Sequence, residues 1–109
     1  MVGVSVSTHV LDAATGTPAA GVAVSLADAA GNPCGAGRTD ADGRVGSVAA
    51  ELAPGTYRLR FGTGEFFAAR GVTTFWPEVE LAFTVTPEDT HLHVPLLLSP
   101  FAYSTYRGS

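Results

Sequence analysis

The sequence contains no lysine, and all six of its cationic residues are arginine. Any cation at a site is therefore a planar fork, suited to carboxylate-like or amide-like planar ligands. A net charge of −4 offers no extended basic surface for a phosphate backbone, so no nucleic-acid partner is expected. There is a single cysteine, Cys34, which excludes an internal disulfide and fits a reducing compartment. It lies in "GNPCGAG", a turn-like setting, with no His or Cys near it at metal-ligand spacing. Long apolar runs are also missing: none approaches the roughly 18 residues of a membrane span. The start "MVGVSVSTHVLD" has neither a charged n-region nor an A-x-A cleavage site, and the end is not a peroxisomal "SKL". The expected location is cytoplasmic, with no membrane association.

What is present is apolar and alternating. Hydrophobic residues make up 46% of the 109 and charged ones only 15%, which describes a single globular domain over residues 1–109. Val2, Val4, Val6, Thr8 and Val10 take one face of a strand, with Ser5, Ser7 and His9 on the other. Val22, Val24 and Leu26 form a second such face, and Tyr57, Leu59 and Phe61 a third. Val79, Leu81, Phe83 and Val85 form a fourth; Leu92, Val94, Leu96 and Leu98 form a fifth. Turn signals separate them: "ATGTP", "DAAGNP", "TDADGR", "LAPGT" and "TPEDT". Only "TGEFFAARG" reads as helix, capped by Thr63 and closed by Gly71. This pattern predicts an all-β fold: a two-sheet antiparallel sandwich of seven to eight strands with one short helix.

The informative residues are polar ones on sheet faces. His9 shares its face with Ser5 and Ser7, and His93 shares one with His91, Pro95 and Leu97. Pro95 cannot donate to a ladder, so its strand is at an edge, bulged or locally unpaired. The bland reading of each histidine is a solvated or satisfied half-buried side chain. A metal site built on His91, His93 and His9 is the sharper alternative, but no acidic residue or cysteine clusters with them beyond Glu88 and Asp89. "TDADGR" carries D-x-D-G, yet it lacks the helical frame and the bidentate Glu of a calcium loop. A tight turn with Gly43 in a left-handed conformation accounts for it better, and sets Arg44 at the turn's exit. The chain closes on Tyr106-Arg107-Gly108-Ser109, either the ragged end of a strand or part of a site.

Four segments carry a resemblance: "VSTHVLDAATGTPAAGVAVSL", "TDADGR", "ARGVTTFWPEVELAF" and "HLHVPLLLSPFAYSTYRGS". Together they resemble the 5-hydroxyisourate hydrolases, transthyretin-related proteins of purine breakdown, from about Ser7 to Ser109. "YRGS" joined to "HVPLLLSP" is the most specific part. Transthyretin itself shares the "LLSP" and "YST" elements but not the tetrapeptide or the two histidines. The resemblance implies a transthyretin-like sandwich and a homotetramer with sites at the dimer–dimer interface. It implies a small-molecule substrate and no cofactor or metal. The family's functional positions fall on His9, Arg44, His93 and Tyr106 to Ser109. One departure is visible: Leu92 stands where the family usually has Tyr, on the face opposite His93, so a packing change is expected.

The implied reaction is hydrolysis of the N1–C6 amide of 5-hydroxyisourate to 2-oxo-4-hydroxy-4-carboxy-5-ureidoimidazoline. Such chemistry needs a base that works near neutrality, which suits His. It needs a cation for the developing oxyanion and forked donors for a flat heterocycle, which suit Arg. On this expectation His9 is the base and His93 orients water or substrate, although sequence does not decide between the two histidines. Arg44 holds ring carbonyls, and Tyr106, Arg107, Gly108 and Ser109 form the pocket floor. Arg107 ranks last, because alternation sends it away from Tyr106. The rivals are a small-ligand carrier on the same scaffold, a structural sandwich module and a metalloenzyme.

Overall fold

The computed structural model describes residues 3–109, so Val2 of the first predicted face lies outside the described residues. Nine strands and one helix follow in the order β1 (Val4–Asp12), β2 (Thr17–Pro18), β3 (Ala23–Asp28), β4 (Pro33–Arg38), β5 (Arg44–Leu52), β6 (Gly55–Phe61), α1 (Thr63–Ala68), β7 (Val79–Val85), β8 (His91–Leu98) and β9 (Tyr103–Thr105). They form two sheets. One runs β2-β1-β8-β9, with β5 also paired to β1; the other runs β4-β3-β6-β7. The expected class holds, with nine strands in place of seven to eight, β2 and β9 being short, and one pairing of opposite sense. β1 and β8 run parallel in unbroken register from Ser5↔His91 to Asp12↔Leu98, while every other pair is antiparallel.

The core follows from the alternation. Val4, Val6, Val10, Val22, Val24, Leu26, Leu59, Phe61, Val79, Val85, Leu96 and Leu98 are buried between the sheets, with Phe66 and Phe67 of α1. Thr8 sits in the same apolar row because its hydroxyl donates to the Val94 carbonyl at 2.6 Å, which satisfies it inside. Leu92 is buried in this core, in keeping with a packing role. Tyr57 donates its hydroxyl to the Ala53 carbonyl at 2.6 Å and fixes the corner before β6.

Three local expectations change. "GNPCGAG" is largely strand, not turn: Cys34 lies in β4, which crosses close to β5. A Cβ on Gly35 would lie 2.1 Å from the Val48 carbonyl oxygen, so the glycines serve close approach between strands. Thr63 does not cap the helix. Gly62 holds the cap position, and Thr63 is buried with its hydroxyl 3.4 Å from the Trp76 carbonyl. Gly71 does close the helix, at φ 68°. Finally, β8 is an interior strand. Pro95 interrupts its ladder with β9, which ends at Thr105 just before the residue that would face Pro95. The Thr105 hydroxyl donates instead to the Pro95 carbonyl at 2.7 Å. Of the options for Pro95, the locally unpaired one is realised.

Candidate active site

Directly paired residues on neighbouring strands point to the same side of a sheet, so register builds the site. His9 pairs with Arg44 on β5 and with Pro95 on β8, while Ser7 pairs with His93 and Ser5 with His91. Across β8–β9, Leu96 faces Thr105. One further step sets Tyr106 opposite Pro95, and the next bond resumes the ladder: the Gly108 N–H donates to the His93 carbonyl at 2.8 Å. Arg44, His9, Pro95 and Tyr106 thus form a row across four strands, beside a second row of Ser7, His93 and Gly108. Both rows lie on the outer face, because Val6, Thr8 and Val10 take the inner one.

Arg44 owes its place to the "TDADGR" turn. Asp40 Oδ1 accepts the N–H groups of Asp42 at 2.9 Å and Arg44 at 3.0 Å. The Arg44 amide, foremost, holds the Asp40 carboxyl below its usual range. Gly43 turns the chain at φ 75°, where its Cβ would also strike the Val10 carbonyl. The guanidinium itself is uncommitted. Arg58 and Arg60 pair with Glu80 and Glu78, and Arg107 with Asp89. Arg38 donates to the Gly21 carbonyl, and Arg70 lies 3.8 Å over the Phe66 ring. Among the described residues, Arg44 is the one arginine whose side chain has no such partner, and it faces the histidines.

His93 is half-buried and held at Nδ1 by the Ser7 hydroxyl at 2.8 Å. Burial, reinforced by the charges of Arg44, His9 and His91, pushes its pKa below the ordinary 6.5, so it is neutral at neutral pH. Gly108 packs against this ring: a Cβ there would lie 2.6 Å from His93 Cδ2. No positive φ requires the glycine; the imidazole does. His9 is half-buried beside Arg44. Tyr106 is 58% exposed at the end of its row.

The face therefore brings His9, Arg44, His93, Tyr106 and Gly108 together. Arg107 points to the other side, as strand alternation requires. It donates to Asp89 Oδ1 at 3.1 Å and borders a cavity of about 320 Å³ between the sheets, which Tyr106 also borders and which Leu81, Phe83, Leu92, Val94 and Thr105 line. None of His9, Arg44 or His93 lines that cavity, which is apolar and on the wrong side of β8 for the hydrolytic chemistry. Ser109 ends the chain exposed and without a hydrogen-bond partner among the described residues. Among those residues no group of three or more His, Cys, Asp or Glu side chains is placed to hold a metal ion. Sequence reasoning set Ser5 and Ser7 beside His9 and weighed His91 only as a metal ligand; the structure instead hydrogen-bonds Ser5 and Ser7 to His91, and Ser7 to His93. The paired S-x-S and H-x-H spacings were visible, but only the parallel β1–β8 register makes them neighbours.

Known proteins resemble this chain over nearly its whole length. A model of the HIUase/Transthyretin family matches residues 6–108. A 5-hydroxyisourate hydrolase of Caulobacter vibrioides is 49% identical, over 94% of this chain and 96% of its own length. The structure of Klebsiella pneumoniae 5-hydroxyisourate hydrolase superposes with a TM-score of 0.88 at 40% identity, covering 96% of this chain and 93% of that one. Sea bream transthyretin in complex with thyroxine superposes at 0.87 with 34% identity, covering 94% and 93%. The sandwich, its register and these similarities coincide over nearly the whole sequence: the chain belongs to the HIUase/Transthyretin family.

Proposed function

We propose that the protein is a 5-hydroxyisourate hydrolase, opening a cyclic amide in urate degradation by attack of water. The observation that carries this is the uncommitted Arg44 guanidinium set in one row with His9 and beside a neutral, hydrogen-bonded His93. A neutral imidazole accepts a proton from water, and a free guanidinium facing it stabilises the oxyanion that forms on the carbonyl. Between the two histidines, the base role goes to His93. Its Nδ1 is anchored, so its Nε2 has a fixed direction, while burial keeps it unprotonated. His9, next to Arg44, then orients the ring carbonyls. Tyr106 supplies a hydroxyl at the rim, and Gly108 seats His93. A carrier role for an apolar ligand has less support, since this face presents imidazoles, serine hydroxyls and an arginine.

In a single protomer this face is a shallow sheet surface, and water would compete for every group on it. We read the working unit as a homotetramer in which two such faces meet and enclose the substrate. The free outer edges of β7 and β9, each paired on one side only, support edge-to-edge pairing of protomers. The test is direct: generate 5-hydroxyisourate from urate with urate oxidase and follow its ultraviolet decay. Parent protein should accelerate the decay, and His93→Ala or Arg44→Ala should lose roughly 100-fold or more of that acceleration. No acceleration by the folded parent protein would refute the activity.

A further inference from the structure

Four side chains on β1 and β8 form a continuous hydrogen-bonded chain, of which the hydrolytic roles above use only His93 and its bond to Ser7. Ser5 Oγ lies 2.6 Å from His91 Nδ1, His91 Nε2 lies 2.8 Å from Ser7 Oγ, and Ser7 Oγ lies 2.8 Å from His93 Nδ1. The parallel register makes this possible by setting Ser5 against His91 and Ser7 against His93. Ser7, only 9% exposed, stands between two imidazoles with a single proton to give. Donor counting then couples the two rings. If His93 donates from Nδ1 to Ser7, Ser7 donates to His91 Nε2, and His91 donates from Nδ1 to Ser5. Every nitrogen in the chain is then used, and His93 Nε2 is left with its lone pair. Running the chain the other way puts the proton on Nε2 and removes the base.

We propose that Ser7 and His91 are positioning residues, a proton relay that sets the tautomer of His93 and takes up the charge it acquires. This rests on His93 being the base. When Nε2 accepts a proton from water, the Nδ1 proton passes to Ser7 Oγ and the Ser7 proton to His91 Nε2. One O–H bond of water breaks and one N–H bond forms, and the positive charge moves to His91. There both ring N–H groups point at serine oxygens, away from Arg44. The reverse shift, as His93 Nε2 gives its proton to the leaving nitrogen, restores the starting state. His91 is more exposed than His93, so the charge comes to rest in the better-solvated ring.

Heteronuclear NMR of the imidazole nitrogens, read beside steady-state kinetics, tests this. The parent protein is expected to show His93 protonated at Nδ1. In Ser7→Ala and in His91→Leu that preference should be lost. Their kcat should fall roughly 10- to 100-fold with KM changed less than about twofold. Ser7→Thr, which keeps the hydroxyl, should restore both readouts. Retention of the Nδ1 tautomer in Ser7→Ala and His91→Leu, with kcat within about twofold of the parent, would overturn the relay. A His93→Ala protein of undiminished kcat would instead refute the base assignment, while the tautomer measurement would still report on the chain.

Discussion

Gly108 and His93 are in contact because one lacks a side chain. A methyl group at 108 would overlap His93 Cδ2 at 2.6 Å and crowd its Cβ and Cγ at 3.1 Å, and the ring is the softer partner, so the ring moves. Displacement of a base by about 1 Å costs on the order of 100-fold in rate. Gly108→Ala should therefore lower kcat by roughly that factor while the melting temperature stays close to that of the parent. The same ring carries a pH prediction. Its folded pKa is depressed, chiefly by burial, so the neutral form persists below pH 6.5. The acid limb of kcat/KM should fall below 6.5. The folded state binds fewer protons than the unfolded chain in that range, so the contribution of His93 to stability is complete above 6.5 and lost as pH falls through the folded value.

At the scale of elements, β4 and β5 meet where the two sheets approach, and small residues permit it. Gly35 opposite the Val48 carbonyl and Gly37 opposite the Val45 side chain leave no space for a methyl group. Gly35→Ala should cost about 2–3 kcal/mol, seen as a lowered thermal midpoint. The same features explain what could and could not be read from the sequence. β3, β6 and β7 alternate cleanly, as do β1 and β8 apart from Ser7 and Pro95, buried on the outer face, and their core faces follow from period two. β5 does not. It contains Gly46, two register shifts against β1 and Glu51 at φ 60°, so alternation breaks where the strand bends. Pro95 signalled a gap in pairing, but the neighbour that fills it, the Thr105 hydroxyl, depends on a register that local pattern does not carry. His9, Arg44 and His93 stood out as polar groups on strand faces or at a turn exit. Their assembly into adjoining rows is tertiary, as is the chain through Ser5, Ser7 and His91.

At the scale of the whole molecule, the polar rows occupy an open sheet face, while β9 of that sheet and β7 of the other each leave one edge free. Enclosure by a second face predicts a tetramer in light scattering at working concentration. It also predicts specific activity that falls when dilution separates the protomers. A monomer with undiminished activity per chain would contradict a shared site. Aromatic side chains left exposed in the protomer, Phe75, Phe101, Tyr103 and Tyr106, are the ones whose fluorescence or accessibility should change with assembly.

The parallel pairing of β1 with β8 has a consequence for biosynthesis. Ser7 and His93 are 86 positions apart, so β1 leaves the ribosome long before its central partner exists. Closing that span is entropically slow, and contacts so distant in sequence delay folding relative to local ones. During that interval β1 offers an unpaired apolar edge, and its antiparallel partners β2 and then β5 reach it first. A nascent chain is thus half-assembled and catalytically silent until β8 and the residues that follow it emerge, and activity appears only with the completed fold.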